Sequence, residues 1–416
     1  MLRPNFVRAQ VGNCEMFESH VQSLIKVIPR DGGMVDLQPL FQSLTLDVAT
    51  EFLFGQSTNT LSPEGGDAET KEFARAFGDV LNAWGAQDQG WKMFVAMTVG
   101  LFLPNLKLKG EYKIVHDYVD GLVERAMNDK NRYEYEKENT DKRSAFPSGR
   151  YISLYELLDQ TTDKVKIRSE LLNVLVAGRD TTAALLSNVW FELSKRAGMW
   201  AKLQQEVSTL HSQHPTFERL KEMKYLRAFL NESLRLYPVA PVNSRVAEVD
   251  TVLPVGGGED GKSPVFIKKG QMAHWSAYIM HRRKDFYGED AEEFRPERWI
   301  DGEEGKGLRV GWEYLPFNGG PRICIGRELV SRSSLPSLTR FYRYFFLVYP
   351  HLIIVSSVAW LTDLFIEQFA LTQVSYVTVR LMQEFAEIES RDPEPWREKF
   401  AIVCTGLGGC KVVLTP

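Results

Sequence analysis

Apolar side chains recur at three- and four-residue intervals through most of the first 240 positions. This spacing puts them on one face of a helix, so Phe41–Phe54, Glu72–Leu81 and Tyr112–Met127 are predicted as amphipathic helices. A charged link containing proline and glycine, Asn139–Arg150, separates them from one long helical pattern without proline, Asp163–Arg196. Trp200–Leu210 and Leu220–Leu236 continue the series. The last is stopped by Tyr237-Pro238, because a proline ring pushes the preceding residue out of helical geometry. The texture then changes. Asn243–Ala277 is rich in Val, Gly and Pro and reads as short strands and turns, and Phe400–Leu414 as a further strand pair around Gly406-Leu407-Gly408-Gly409. The predicted fold class is mainly α with a small β part.

One segment departs from this pattern. Arg327–Ile366, 40 residues, contains no Gly, Lys, Asn or Gln, and Tyr344–Thr362 runs 19 residues without a charge. That length of apolar chain suits a membrane span, but Pro350-His351 and Ser356-Ser357 interrupt it.

Charge and cysteine content narrow the classes. The chain has 416 residues with a net charge of −4, so no bulk positive field attracts nucleic acid or an anionic membrane. Its 44% apolar and 25% charged composition is that of a globular protein. Four cysteines (Cys14, Cys324, Cys404 and Cys410) are too few for a disulfide scaffold and point to a reducing compartment or the cytosolic face of a membrane. Cys404 and Cys410 flank the C-terminal glycine turn and read as structural.

Five motifs compete for chemistry. Gly256-Gly257-Gly258-Glu259-Asp260-Gly261-Lys262-Ser263 has the letters of a phosphate-binding loop. Such a loop must open a helix, whereas Pro264-Val265-Phe266-Ile267 reads as a strand, so a glycine-rich hairpin is predicted. His211 and His214 lack a third ligand nearby and read as a solvated helix face. Glu232-Ser233-Leu234-Arg235 is an ordinary helical ion pair taken alone, but Phe294-Arg295-Pro296-Glu297-Arg298-Trp299 offers a second arginine for the same carboxylate. Ala177-Gly178-Arg179-Asp180-Thr181-Thr182 sets a carboxylate and a hydroxyl at a weak helical turn, an arrangement that can relay protons. Finally, Phe317-Asn318-Gly319-Gly320-Pro321-Arg322-Ile323-Cys324-Ile325-Gly326 surrounds one cysteine with glycines and an arginine. That is a setting that favours the metal-binding thiolate.

Ala177–Thr182, Glu232–Arg235, Pro296–Trp299 and the cysteine loop Phe317–Gly326 stand along the chain in an order that resembles that of the cytochromes P450, and the resemblance covers Met1–Gly326 and Glu367–Pro416. Within that superfamily the chain is similar to the fungal n-alkane and fatty-acid terminal hydroxylases. It shares Ala177–Ala183, Pro241-Val242-Asn243-Ser244-Arg245, and the Gly256–Gly261 loop leading to Pro264-Val265-Phe266. The resemblance implies a single cytochrome P450 domain over 1–416, holding haem b, with Cys324 as the axial ligand of the iron. Arg322 and Arg245 would pair with the haem propionates. Phe317 would shield the sulfur, and Gly326 would complete the loop. Asp180 and Thr181 would deliver protons to dioxygen, and Glu232, Arg235 and Arg298 would form a buried structural triad. The implied activity is monooxygenation: one oxygen atom of O₂ enters a hydrophobic substrate, and the other leaves as water. NADPH supplies the electrons through a separate reductase, at the cytosolic face of the endoplasmic reticulum membrane.

Two departures bear on this expectation. The family's membrane anchor, early strands and one haem contact precede the stretch that here is Leu2-Arg3-Pro4-Asn5-Phe6, so by this resemblance the chain is expected to be N-terminally truncated. The family also runs from the cysteine loop directly into a helix, where this chain interposes residues 327–366. That anomalous insertion is expected to be an intron translated in frame. The alternatives are another haem-thiolate enzyme, a peroxygenase or dehydratase, and a non-catalytic remnant that binds no haem.

Overall fold

A computed structural model describes residues 14–62, 65–85, 106–139, 152–301, 307–320, 323–324, 369–400 and 403–416. Helix α1 (Glu15–Val27) is followed by the short strand β1 (Val35–Asp36) and helix α2 (Leu37–Phe54). The Asp36 side chain caps α2 by accepting the Gln38 N–H at 3.1 Å. Gly55 ends the helix at a φ of +72°, a conformation that glycine adopts without penalty. Helices α3 (Ala68–Gly85), α4 (Leu106–Asn139) and α5 (Ser153–Gln160) lead to the longest uninterrupted apolar pattern, α6 (Lys164–Lys195). Asp163 caps it by accepting from the Val165 and Lys166 amides.

Helix α6 is the spine of the molecule. Every residue from Thr182 to Leu193 is buried, so its second half is surrounded by other elements rather than laid on a surface. Helix α2 packs along it, with the Phe41 and Trp190 rings 6.4 Å apart. Helices α7 (Ala197–Ser208), α8 (Phe217–Glu222) and α9 (Lys224–Leu236) follow. The single helix expected over Leu220–Leu236 is therefore two. Met223 has extended backbone (ψ 94°), which breaks the helix although the apolar spacing runs on through it.

Among the described residues the β part is four small antiparallel sheets. Strand β2 (Val242–Val246) pairs with β5 (Met272–Ser276), and β3 (Thr251–Gly257) with β4 (Ser263–Ile267). The segment Gly256–Ser263 is thus the end of a hairpin, with Gly257 opposite Ser263 and no helix after it. Short helices α10 (Ala277–Met280) and α11 (Lys284–Tyr287) and one 3₁₀ turn, Pro296–Trp299, carry the chain toward the cysteine loop.

Helix α12 (Phe369–Glu384) returns to the core. Its Phe369 ring lies 5.6 Å from Phe17 and 4.9 Å from Phe52, and its Arg380 clamps Glu18 of α1 through two bonds of 2.9 Å. One hydrophobic cluster therefore runs from Phe17 to Leu414 and includes residues on both sides of segment 327–366, which lies outside the described residues.

The strand pair expected over Phe400–Leu414 is not formed. Strand β8 (Cys404–Gly406) pairs with β7 (Glu398–Phe400). Strand β9 (Lys411–Thr415) instead joins β1 and β6 (Glu387–Ser390) in the order β1-β9-β6. The Asp36 carboxylate that caps α2 also accepts the Cys410 N–H at 2.8 Å, which anchors β9 beside β1. Cys404 and Cys410 are buried, and burial pushes the Cys404 thiol up to about 12 and that of Cys410 higher still. Among the described residues no helix is long and apolar enough to cross a membrane.

Candidate functional site

Glu232 and Arg235 lie one turn apart on α9, and both are fully buried. The arginine fork grips the carboxylate through Nε at 2.9 Å and Nη2 at 2.8 Å. Arg298, on the 3₁₀ turn, adds its Nε at 3.0 Å. The Trp299 indole N–H donates at 2.9 Å and the Arg295 amide at 2.8 Å. A buried charge is tolerated only when it is paired and its lone pairs are filled, and this carboxylate meets both conditions. The arginines also serve backbone carbonyls: Arg235 binds those of His281, Ala291 and Glu293, and Arg298 those of Tyr287, Asp290 and Glu293. The network thereby pins the irregular chain from 281 to 299 onto α9.

That irregular chain leads into the cysteine loop. The Trp299 and Tyr314 rings lie 4.9 Å apart, and the Tyr314 hydroxyl donates to the Asn231 carbonyl on α9 at 3.1 Å. The Leu315 amide donates to His281 Nε2 at 2.9 Å. Phe317 is half-buried against the core, and its carbonyl accepts the Cys324 N–H at 2.9 Å, which closes the loop upon itself. Asn318, at a φ of +62°, reaches across to Asn243 of β2 at 3.1 Å. The structure therefore brings Phe317 and Cys324 together and sets their loop beside the strand that carries Arg245. Cys324 itself is exposed. Gly319 packs where a Cβ would run into the Trp312 ring, whereas Gly320 has a φ of +69°, and a Cβ on it would meet nothing within 4 Å among the described residues.

Arg245 is exposed on β2. It donates to its neighbour's carbonyl at Ser244 (2.7 Å), and its guanidinium stands 5.1 Å from the Trp275 ring centre. Arg322 and Gly326 lie outside the described residues.

Asp180 and Thr181 stand on α6, where the burial of the helix lapses. Ala177 is exposed and Gly178–Thr181 are partly exposed, immediately before the fully buried run from Thr182. A Cβ placed on Gly178 would meet nothing within 4 Å. Asp180 accepts from Arg179 Nη1 at 2.8 Å. Burial raises its pKa against the pull of that guanidinium. The Thr181 hydroxyl donates to the Ala177 carbonyl at 2.5 Å, leaving its oxygen lone pairs to accept a proton. The Arg179 Nε is buried without a partner among the described residues.

These features fit a haem. The exposed Cys324 thiol can serve as an iron-binding thiolate, and its loop lies beside the strand that carries Arg245, a donor suited to a carboxylate. His281, Tyr314 and Asn318 were not legible as members of the site. A lone histidine, one aromatic and one asparagine carry no spacing signal.

Comparison with known proteins places these observations in a family. The cytochrome P450 family model matches residues 2–352. The chain is 40% identical over 422 residues to the cytochrome P450 monooxygenase himC of Aspergillus japonicus, covering 100% of this chain and 65% of that protein. It is 38% identical over 418 residues to the cytochrome P450 monooxygenase fsdH of Fusarium heterosporum, covering 100% of this chain and 64% of the relative. With cytochrome P450 52A1 of Candida tropicalis it shares 40% identity over 405 residues, 94% of this chain and 64% of the relative. The chain thus spans just under two thirds of the length of these relatives. With a family match over most of its length and the cysteine loop held as described, the chain belongs to the cytochrome P450 family.

Proposed function

We propose that the protein is a haem-thiolate monooxygenase that inserts one oxygen atom from O₂ into a hydrophobic substrate, an n-alkane or fatty acid attacked at its terminal carbon. Its electrons come from a separate NADPH-dependent reductase at the cytosolic face of the endoplasmic reticulum. The observation that carries this reading is the presentation of Cys324. Its thiol is exposed at the open side of a glycine-containing loop whose backbone is closed by the bond from the Cys324 amide to the Phe317 carbonyl. The substrate class rests on the shared Ala177–Ala183 and Pro241–Arg245 sequences, and the reductase and location on the family.

Bound haem would supply the oxygen activation and electron uptake that no side chain of this chain provides. Cys324 is assigned as the thiolate ligand. Arg245 and Arg322 are assigned to the propionates, Phe317 to the sulfur side, and Gly326 to the loop's end. Asp180 and Thr181 are assigned to proton delivery: partial burial makes Asp180 hold a proton more readily than an ordinary carboxylic acid, and the Thr181 oxygen can accept a hydrogen bond while its own proton goes to Ala177. Glu232, Arg235 and Arg298 hold the loop's approach in place. The single core shared by α1 and α12 supports one domain, and the composition of 327–366 supports reading that segment as an anomalous insertion in it.

A haem-free remnant is a second reading, favoured by the 40 residues set between the cysteine loop and the helix that should follow it. Thr181→Ala separates the chemical alternatives. With an n-alkane or a long-chain fatty acid as substrate and the reductase supplied, oxygen consumption should persist while product falls by at least tenfold. Unchanged coupling would favour a peroxygenase or dehydratase.

A further inference from the structure

His281 is fully buried. Its Nδ1 lies 3.2 Å from the Arg235 carbonyl oxygen and its Nε2 2.9 Å from the Leu315 amide nitrogen. A carbonyl can only accept and an amide N–H can only donate. The imidazole is therefore neutral, with its proton on Nδ1 and a lone pair on Nε2. Burial works in the same direction. Together with the Arg235 and Arg282 guanidiniums, and against the Arg235 carbonyl, it lowers the histidine to about 4.

The link to Arg235 is reciprocal. The Arg235 guanidinium donates to the His281 carbonyl at 2.9 Å, while the His281 ring donates to the Arg235 carbonyl. Each side chain holds the other residue's backbone, so the ring has no freedom to tilt. The Tyr314 ring, 5.2 Å away, closes one side of it. On the far side the Leu315 amide begins the cysteine loop: the Leu315 carbonyl accepts the Asn318 N–H at 3.2 Å, and the Phe317 carbonyl accepts the Cys324 N–H at 2.9 Å.

We propose that His281 is a positioning residue for the cysteine loop, a neutral donor–acceptor bridge that fixes the loop's first amide to the Glu232–Arg235 network and so sets where Cys324 is presented. The inference rests on the reading of Cys324 as the haem ligand. The bridge needs one donor and one acceptor on an uncharged, rigidly held side chain. Gln offers both, and Phe offers neither at similar volume.

The test compares the parent chain with His281→Gln and His281→Phe by two readouts. One is amide hydrogen exchange over Tyr314–Asn318 in the haem-free chain. The other is the Soret band of the haem-reconstituted, reduced, carbon monoxide-bound form. Expected for His281→Phe are exchange at Leu315 faster by about tenfold and loss of the thiolate-type band, with His281→Gln restoring both toward the parent. Equal exchange and an unchanged band in His281→Phe would overturn the proposal. So would a His281→Gln variant as impaired as His281→Phe or unable to fold, because shape rather than the donor–acceptor pair would then be required. Should His281→Phe fail to fold, His281→Gln decides alone: parental exchange and band support the bridge, and their loss overturns it. A parent chain without the thiolate band would instead overturn the haem-thiolate reading, and the exchange experiment would still decide the bridge.

Discussion

Glu232→Gln should be strongly destabilising. It keeps the shape of the side chain and removes its charge. The carboxylate accepts five bonds: Arg235 Nη2, Arg298 Nε and the Arg295 amide on Oε1, and Arg235 Nε and the Trp299 indole on Oε2. With its carbonyl oxygen at the first position, glutamine turns an NH₂ group toward Arg235 Nε and Trp299 Nε1. Each buried donor left without an acceptor costs about 1–3 kcal/mol. Two guanidiniums also lose the counter-charge of Glu232, and breaking a buried ion pair from one side costs about 3–5 kcal/mol. These estimates overlap rather than add, so the expected loss is about 3–5 kcal/mol, a large part of a typical stability of about 5–15 kcal/mol. Urea denaturation followed by tryptophan fluorescence measures it, with Asp301→Asn as the reference. Asp301 and Arg309 form a two-pronged pair whose side chains are 63% and 67% exposed, and exposed pairs contribute about 1 kcal/mol at most. A Glu232→Gln variant no less stable than Asp301→Asn would refute the reasoning.

Two further predictions concern acid. Burial resists ionisation of Glu18, but hydrogen bonds from Arg380, Gln22 and Tyr376 outweigh it and hold the group at about 2. Because the folded value is depressed, the stabilisation is present above the ordinary carboxylate range and is lost as pH falls toward 2. Glu18→Gln should therefore lower the unfolding free energy from urea denaturation at pH 7, by about 3 kcal/mol at most because the group is partly exposed, and lose that difference near pH 2; a pH-independent difference would contradict the assignment. His281 is the converse case, a base kept neutral by burial at about 4. The unfolded chain takes up its proton near pH 6.5 and the folded chain does not. Stability should thus fall by about 3 kcal/mol between pH 6.5 and 4, and His281→Gln should remove that portion of the slope. An unaltered slope would show that the histidine is not the group responsible.

Much of this architecture is legible in the sequence, because a helix writes its burial into local spacing. The spine α6 was predicted as Asp163–Arg196 and is found over Lys164–Lys195. The break at Met223 was not legible, since leucines on both sides keep helical spacing across it. The β9 pairing is not legible for a different reason. The Gly406–Gly409 turn suggests a local hairpin, yet Val412 pairs with Val35, which stands near the other end of the chain. Local chemistry holds no record of such a partner. At the site, Glu232, Arg235 and Arg298 could be named because two short motifs supply complementary charges. The Trp299 indole, the Arg295 amide and the His281 bridge could not be, because hydrogen bonds to backbone and from a single ring nitrogen leave no pattern.

The central claim is that Cys324 is the residue this fold presents to haem iron. The most direct measurement is the spectrum of the haem-reconstituted chain, reduced and exposed to carbon monoxide, beside that of Cys324→Ser. The account predicts a thiolate-type Soret band in the parent that is absent from Cys324→Ser. A parent chain without that band, or a band that survives the loss of Cys324, would contradict it.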